Sequence, residues 1–305
     1  MLSGTVLDSL TGMILKRAVV ATVTAALCTL LTLNSVGAAA KPVVVAGVSE
    51  WASLARTVAG NAAVVVSLLS DPNADPHDHE ATTSDAVHVA RASVVIENGD
   101  GYDTWLSKLV QARARAPVVI DAARLAAVRS GSNPHLFFSV PIAQEVVRAL
   151  TRDLVARTAS RAVAARSRAL QTQLRTLNRS ITAIARSCRG VKVAATEDVA
   201  GYLLRQAGLD VITPEGLRLA VGNGVDPSVH DLAVALTQLE AHPAFLLDNV
   251  QTATPLTNEL VAQARTHRVP VIDVTETMTG SSYVAWIGHV VSEVSRDLRR
   301  QGCLT

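Results

Sequence analysis

Four imidazole or carboxylate side chains follow predicted β-strands, and their chemistry is that of ligands for a divalent metal ion. They are His77, His135, Glu197 and Glu276. In open α/β sheets, ligands bind beyond the carboxyl ends of the strands, so residues far apart in sequence can converge there. Imidazole nitrogens and carboxylate oxygens are common ligands of Zn²⁺ and Mn²⁺. The sequence therefore suggests one metal site to which both halves of the chain contribute.

The polar segment around His77 has the densest grouping of such side chains. It runs from Asn73 to Glu80 and contains two imidazoles and three carboxylates. A short loop on a rigid scaffold can direct these groups inward. The simpler alternative is that single His and Glu side chains in loops are solvated, or that Glu197 and Glu276 cap the helices that follow them. Spacing alone leaves both interpretations open.

Short β-branched runs alternate with segments of helical periodicity along the chain, which is typical of α/β proteins with largely parallel sheets. We predict two lobes, each with a mainly parallel four-stranded sheet flanked by helices. The predicted strands cover residues 42–46, 63–69, 92–96 and 117–120 in the first lobe, and 191–195, 210–213, 244–247 and 270–274 in the second.

A long segment from Thr158 to Cys188 is rich in Ala, Leu, Arg and Gln and contains neither proline nor glycine. As a helix of roughly 31 residues it would extend about 46 Å, at about 1.5 Å per residue. We predict that it connects the lobes, although a surface helix with a solvated arginine face is the simpler interpretation. The expected boundaries are 41–157 for the first lobe, 158–188 for the connecting helix and 189–305 for the second lobe.

Residues 1–40 have the features of a signal peptide, so we expect the protein to be exported. Two basic residues precede an apolar run from Ala18 to Leu33, and small residues follow it up to Ala40. A retained membrane anchor is less favoured because the run is shorter than the roughly 20 residues that span a bilayer. Lipid attachment at Cys28 is a further alternative, although a bulky leucine precedes it.

Composition and charge argue against some classes of function. The chain has 305 residues, of which 49% are hydrophobic, so it can bury two cores of ordinary size. Its net charge is only +2 and its aromatic content 3%, which argues against nucleic-acid binding. After signal removal Cys188 and Cys303 remain, either as a disulfide or as two unpaired thiols in an oxidising compartment. Neither has neighbours at the spacing of a thiolate metal site.

Several motifs together resemble the metal-binding solute-binding proteins of ABC importers, the zinc and manganese receptors. ADPHDHE at 74–80 and ENG at 97–99 resemble the N-terminal lobe of that family, and NPHLF at 133–137 resembles its second histidine motif. DNVQT at 248–252 and VPVIDVTET at 269–277 resemble its actinobacterial branch. The resemblance implies two α/β lobes joined by one long helix, a divalent metal bound between them, and delivery to a membrane permease with its ATPase.

The resemblance also assigns ligand positions. The two histidines match the two histidine ligands of the first lobe. Glu197 matches the third position, which is His in many zinc receptors and Glu in manganese-type ones. Glu276 stands near the last position, commonly Asp, and Asp248 and Asp273 are its alternatives. The chain departs from the family in lacking a His-rich loop and in carrying His79 where an aromatic residue is usual.

The metal and the activity are less sharply defined by sequence. Two carboxylates with two imidazoles form a hard ligand set that favours Mn²⁺, whereas Zn²⁺ binds most N/O sites more tightly, so either metal remains an alternative.

The alternative function is a secreted zinc-dependent hydrolase in which three ligands hold Zn²⁺ and Glu80 acts as a base. No HExxH, GxSxG or P-loop motif supports it. A surface adhesin built on the same scaffold is a third hypothesis. We expect a binding protein rather than an enzyme.

Overall fold

The computed structural model describes residues 40–69, 71, 79–280 and 282–304. Nearly all of the predicted signal peptide, including Cys28, lies outside the described residues. The predicted ligand His77 also lies outside them.

Two four-stranded sheets form the framework of the fold. The first contains β1 (Val43–Val48), β2 (Val64–Leu69), β3 (Val94–Glu97) and β4 (Val118–Asp121), and the second contains β5 (Lys192–Ala195), β6 (Asp210–Val211), β7 (Leu246–Asn249) and β8 (Val271–Val274). Their orders are β2-β1-β3-β4 and β6-β5-β7-β8, with every neighbouring pair parallel. The predicted fold class is confirmed. We call each sheet with its helices the first and the second lobe.

The central strands are continuous hydrophobic runs because helices cover both faces of these sheets. Val44, Val45 and Ala46 in β1 are entirely buried, and Leu246 and Leu247 in β7 are nearly so. Burial on both faces removes the alternation of polar and apolar residues that a half-exposed strand would show. Most polar side chains near the sheets therefore lie at or close to the strand ends.

Eleven α-helices lie within the described residues. They are α1 (Ser49–Ala59), α2 (Thr83–Arg91), α3 (Thr104–Gln111), α4 (Ala122–Leu125), α5 (Val140–Thr158), α6 (Arg161–Ser187), α7 (Gly201–Gln206), α8 (Glu215–Gly222), α9 (Val229–Glu240), α10 (Pro255–Thr266) and α11 (Tyr283–Arg300). Among these helices, none combines the length and the hydrophobicity of a transmembrane span.

The long helix α6 has 27 residues and lies within the segment where we predicted the connecting helix. It begins after Ala159, whose left-handed backbone (φ 50°) ends α5. The hydroxyl of Ser160 then caps α6 by accepting a hydrogen bond from the backbone of Val163. Helix α6 packs against α1 of the first lobe and α11 of the second, so its apolar face contacts both. The lobe boundaries themselves stay predictions.

Helix α5 is a long element that was not predicted from the sequence. It runs antiparallel to α6, since Thr151 donates to Ser167 at 2.7 Å while Gln171 donates to the backbone oxygen of Gln144 at 2.8 Å. The connection between the lobes therefore leaves the first lobe through a helical hairpin rather than through one isolated helix.

The few aromatic residues are concentrated where the two lobes meet. Phe138 lies 4.7 Å from Trp286 of α11, and Phe137 lies 6.3 Å from Trp51 of α1, measured between ring centroids. The main hydrophobic core is continuous across both lobes and includes these rings. Residues from Pro42 onward accordingly form one compact unit.

A disulfide joins Cys188, at the end of α6, to Cys303, just beyond α11, with their Cα atoms 5.3 Å apart. Of the two alternatives left open by sequence, the structure has the bridge. It fixes the C-terminal end of the chain to the helix that connects the lobes, across a sequence separation of 115 residues.

Replacing both cysteines, Cys188→Ser with Cys303→Ser, should lower the free energy of unfolding by about 2–4 kcal/mol, because the unfolded chain loses a long covalent loop. Urea titration monitored by circular dichroism measures this change. A reducing agent should lower the wild-type midpoint to that of the double variant and leave the variant unchanged. An unchanged midpoint for the reduced wild type would contradict the prediction.

Candidate metal centre

Three of the four predicted ligands meet in the structure. His135, Glu197 and Glu276 are buried, and one potential ligand atom from each lies within 4.8 Å of the others. His135 Nε2 is 3.1 Å from Glu276 Oε1 and 3.7 Å from Glu197 Oε1. This is the only such group of three or more among the residues that the structure describes.

Strand ends position two of these side chains, as the strand-end rule predicts. Glu197 follows β5 by two residues and Glu276 follows β8 by two residues. His135 comes from the first lobe, directly before a 3₁₀ turn at Leu136–Phe138 whose side chains are fully buried in the core. The site therefore lies at the junction of the two lobes.

The two aspartates considered as alternatives to Glu276 are placed differently. Asp248 and Asp273 face each other as neighbours on β7 and β8 and are not members of the group around His135. Asp248 accepts a hydrogen bond from Thr196 at 3.1 Å. Of the three candidates for this position, Glu276 is the one that the structure brings to His135.

The imidazole of His135 is held by Asn133. The Asn133 side-chain oxygen is 2.8 Å from His135 Nδ1 and also accepts the backbone N–H of His135 at 2.9 Å. Because the Asn133 oxygen can only accept, Nδ1 carries a proton, and the ring is held with Nε2 on the side of the two glutamates. Asn133 is itself fixed by donating to the backbone oxygen of Asp198 at 2.6 Å and by accepting from Tyr202 at 2.9 Å.

The two oxygens of Glu197 have different surroundings. Oε2 accepts hydrogen bonds from Asn249 Nδ2 and from Thr252 Oγ1, both at 2.8 Å. Oε1 is buried, and no donor among the described residues is hydrogen-bonded to it. Burial raises the pKa of Glu197. The interaction with His135 lowers the pKa, the interaction with Glu276 raises it, and the hydrogen bonds from Asn249 and Thr252 lower it. Ionising this buried carboxylate therefore costs free energy unless a cation is near.

Glu276 is linked to the first lobe through Tyr102, whose hydroxyl donates to Oε1 at 2.8 Å. Burial raises the pKa of Tyr102 well above its usual value, so the hydroxyl keeps its proton and acts as a donor. The backbone after Glu276 is also fixed, because Thr277 donates to Gln251 at 2.8 Å and Met278 donates to Glu50 of α1.

A cleft of about 770 Å³ gives access to the site. Its wall includes His135 and Glu197 together with Tyr102, Asn133, Tyr202 and Arg218. Both lobes contribute to this wall, so a solute can reach the edge of the ligand group from solvent.

The arrangement fits a divalent cation. Two buried carboxylates repel each other when both are ionised, and a 2+ charge between them would neutralise both. The buried Glu197 Oε1 is one ligand atom available to the cation.

Sequence reasoning missed the residues that orient the ligands: Tyr102, Asn133, Asn249 and Thr252. The last three lie within motifs that carried the family resemblance, but no pattern in the sequence gave them a role.

The sequence matches the family described as ZnuA, zinc-uptake complex component A, periplasmic, over residues 44–296. The chain belongs to this family. The resemblance to metal-binding solute-binding proteins of ABC importers is thereby confirmed, and the hydrolase alternative is not supported. Proteins of this family are periplasmic components, which agrees with the expected export.

Solved structures share the fold at low sequence identity. The solute-binding protein FpvC of Pseudomonas aeruginosa, solved with Mn²⁺, has a TM-score of 0.68 and 21% identity over 86% of this chain and 99% of its own. The periplasmic zinc-binding protein TroA of Treponema pallidum has a TM-score of 0.67 and 20% identity, over 83% and 98%. A Cd-bound periplasmic metal-binding protein of Candidatus Liberibacter asiaticus has 0.66 and 16%, over 83% and 98%. No curated protein matches the sequence.

A buried carboxyl behind the site makes the stability of the metal-free protein depend on pH. Burial raises the pKa of Glu50 from 4.5 to about 7, and Glu276 adds to the shift. The folded state therefore binds more protons than the unfolded state between these pH values, and this contribution to stability falls as the pH rises from about 4.5 to about 7. Burial also raises the pKa of Glu97 to about 7, which acts in the same direction.

Glu50→Gln should reduce this loss of stability by on the order of 3 kcal/mol, because Gln keeps an acceptor for Met278 but does not titrate. Urea titrations of the metal-free protein from pH 4.5 to 8 measure the effect. The exposed Glu240→Gln is the matched control and should follow the wild type. Parallel pH profiles for wild type and Glu50→Gln would contradict the prediction.

Proposed function

We propose that this protein captures a divalent transition metal, Zn²⁺ or Mn²⁺, at the junction of its lobes and delivers it to an ABC permease and its ATPase. The ligands in this proposal are His135, Glu197 and Glu276, with His77 as the fourth. The observation that carries it is the convergence of three buried ligand atoms from two lobes within 4.8 Å. The metals named for FpvC and TroA support the same class of cargo.

The mechanism is binding and release without turnover. His135 offers Nε2 because Asn133 holds Nδ1, and the glutamates supply the negative charge that offsets the 2+ ion. The protein therefore gains stability on binding, because the ion replaces repulsion between buried carboxylates with attraction. In our proposal the exported protein works on the extracytoplasmic side, either free after cleavage near Ala40 or lipid-anchored at Cys28, and it carries out no catalysis.

Metal binding should raise the melting temperature of protein purified in the presence of chelator and then desalted. Zn²⁺ or Mn²⁺ at about 100 times its Kd should stabilise the fold by about 2.7 kcal/mol. His135→Ala and Glu197→Ala should each weaken binding at least about tenfold, which corresponds to about 1.4 kcal/mol. Differential scanning calorimetry and isothermal titration calorimetry provide the two measurements.

The control is His230→Ala, which removes an exposed imidazole from α9 and should bind metal like the wild type. His77→Ala tests the fourth ligand separately. Equal metal affinity for wild type and His135→Ala would exclude the proposed site, even if metal bound elsewhere on the protein.

A further inference from the structure

The hydrogen bonds around Glu197 bear on which metal the site prefers. Asn249 and Thr252 both donate to Oε2 at 2.8 Å, while Oε1 alone is directed towards His135 Nε2, at 3.7 Å. A carboxylate can bind a metal through one oxygen or through both. Here one oxygen already accepts two hydrogen bonds on its far side, and using it for the metal would require giving up at least part of these contacts.

Both donors to Oε2 are attached to the end of β7, and the Thr252 hydroxyl also lies 3.3 Å from the Asn249 backbone oxygen. Asn249 is completely buried, its side-chain oxygen accepts from the backbone of Gln251 at 3.2 Å, and its backbone N–H donates to Thr196 Oγ1 at 3.1 Å. Thr252 lies in the 3₁₀ turn at Val250–Thr252 that follows β7 directly, so both donors are attached to the same strand end.

Gly222, the last residue of α8, lies on another side of the carboxylate. A methyl group added there would lie 3.3 Å from Glu197 Cγ and 3.4 Å from Oε1, so the glycine leaves this space open beside Oε1. Rotation of the carboxylate to present both oxygens equally is opposed by the hydrogen bonds that Asn249 and Thr252 donate to Oε2.

We infer that Asn249 and Thr252 restrict Glu197 to one-oxygen coordination through Oε1 and so select Zn²⁺ over Mn²⁺. This inference rests on the proposed metal site. Zn²⁺ is commonly four-coordinate, whereas Mn²⁺ favours about six ligands, mostly oxygens. Removing one potential oxygen lowers the coordination number that the site can offer, which disfavours the larger ion. Asn249 and Thr252 are positioning residues, since they act on the metal through Glu197.

Thr252→Val tests this with little change in volume, because it removes only the hydroxyl donor. We expect the ratio of Mn²⁺ to Zn²⁺ affinity to rise about tenfold, about 1.4 kcal/mol of selectivity, measured by competition calorimetry. Co²⁺ gives a second readout, because it absorbs visible light strongly when four-coordinate and weakly when six-coordinate. The Co²⁺ complex of wild type should absorb strongly and that of Thr252→Val less strongly.

Thr252→Ser is the matched control, since it keeps the hydroxyl and should retain the wild-type spectrum and ratio. Asn249→Ala removes the other donor and should shift both readouts in the same direction as Thr252→Val. An unaltered spectrum and ratio in Thr252→Val would overturn the inference, as would equal loss of affinity for both metals or a weak wild-type Co²⁺ spectrum. Absence of metal binding by the wild type would instead refute the proposed function itself.

Discussion

The constraint on which the rest of this structure depends is the burial of two carboxylates beside one imidazole at the junction of the lobes. Glu197 and Glu276 are both almost fully buried and converge on His135 Nε2. Such a grouping destabilises a protein unless a cation compensates it. The hydrogen bonds from Asn249, Thr252 and Tyr102 stabilise the carboxylates in part, but they cannot neutralise the charge. The metal-free fold thus retains an electrostatic cost that a divalent ion removes.

The architecture accounts for how distant residues reach one point. In each lobe the parallel strands carry apolar residues along their length, so polar groups accumulate after the strand ends, where β5 and β8 deliver the two glutamates. The aromatic residues next to His135 form the core between the lobes. The ligand from the first lobe is therefore anchored in the same core that joins the lobes.

Much of this arrangement was predictable from local patterns. β-Branched runs marked the strands to within a few residues, and the rule about strand ends singled out His135, Glu197 and Glu276. Helix α5 was missed because its β-branched valines lower the helical propensity of a segment that tertiary packing nevertheless stabilises, although Pro141 in its first turn is compatible with a helix start. The roles of Asn249 and Thr252 depend on the approach of the β7 end to the β5 end, and the disulfide depends on the packing of α6 against α11. None of these contacts is encoded in spacing along the chain.

The metal site and the contacts between the lobes favour the same arrangement, which has a consequence for release. Tyr102 donates to Glu276, Met278 donates to Glu50, and Tyr283 donates to Ser53 at 3.0 Å, each across the junction of the lobes. Separating His135 from the glutamates would expose both the ligands and these buried hydrogen bonds. An ion bound there therefore adds its coordination energy to contacts that already hold the lobes together. Release then requires a partner whose binding compensates for the loss of both the metal coordination and the contacts between the lobes. An importer permease would have this role.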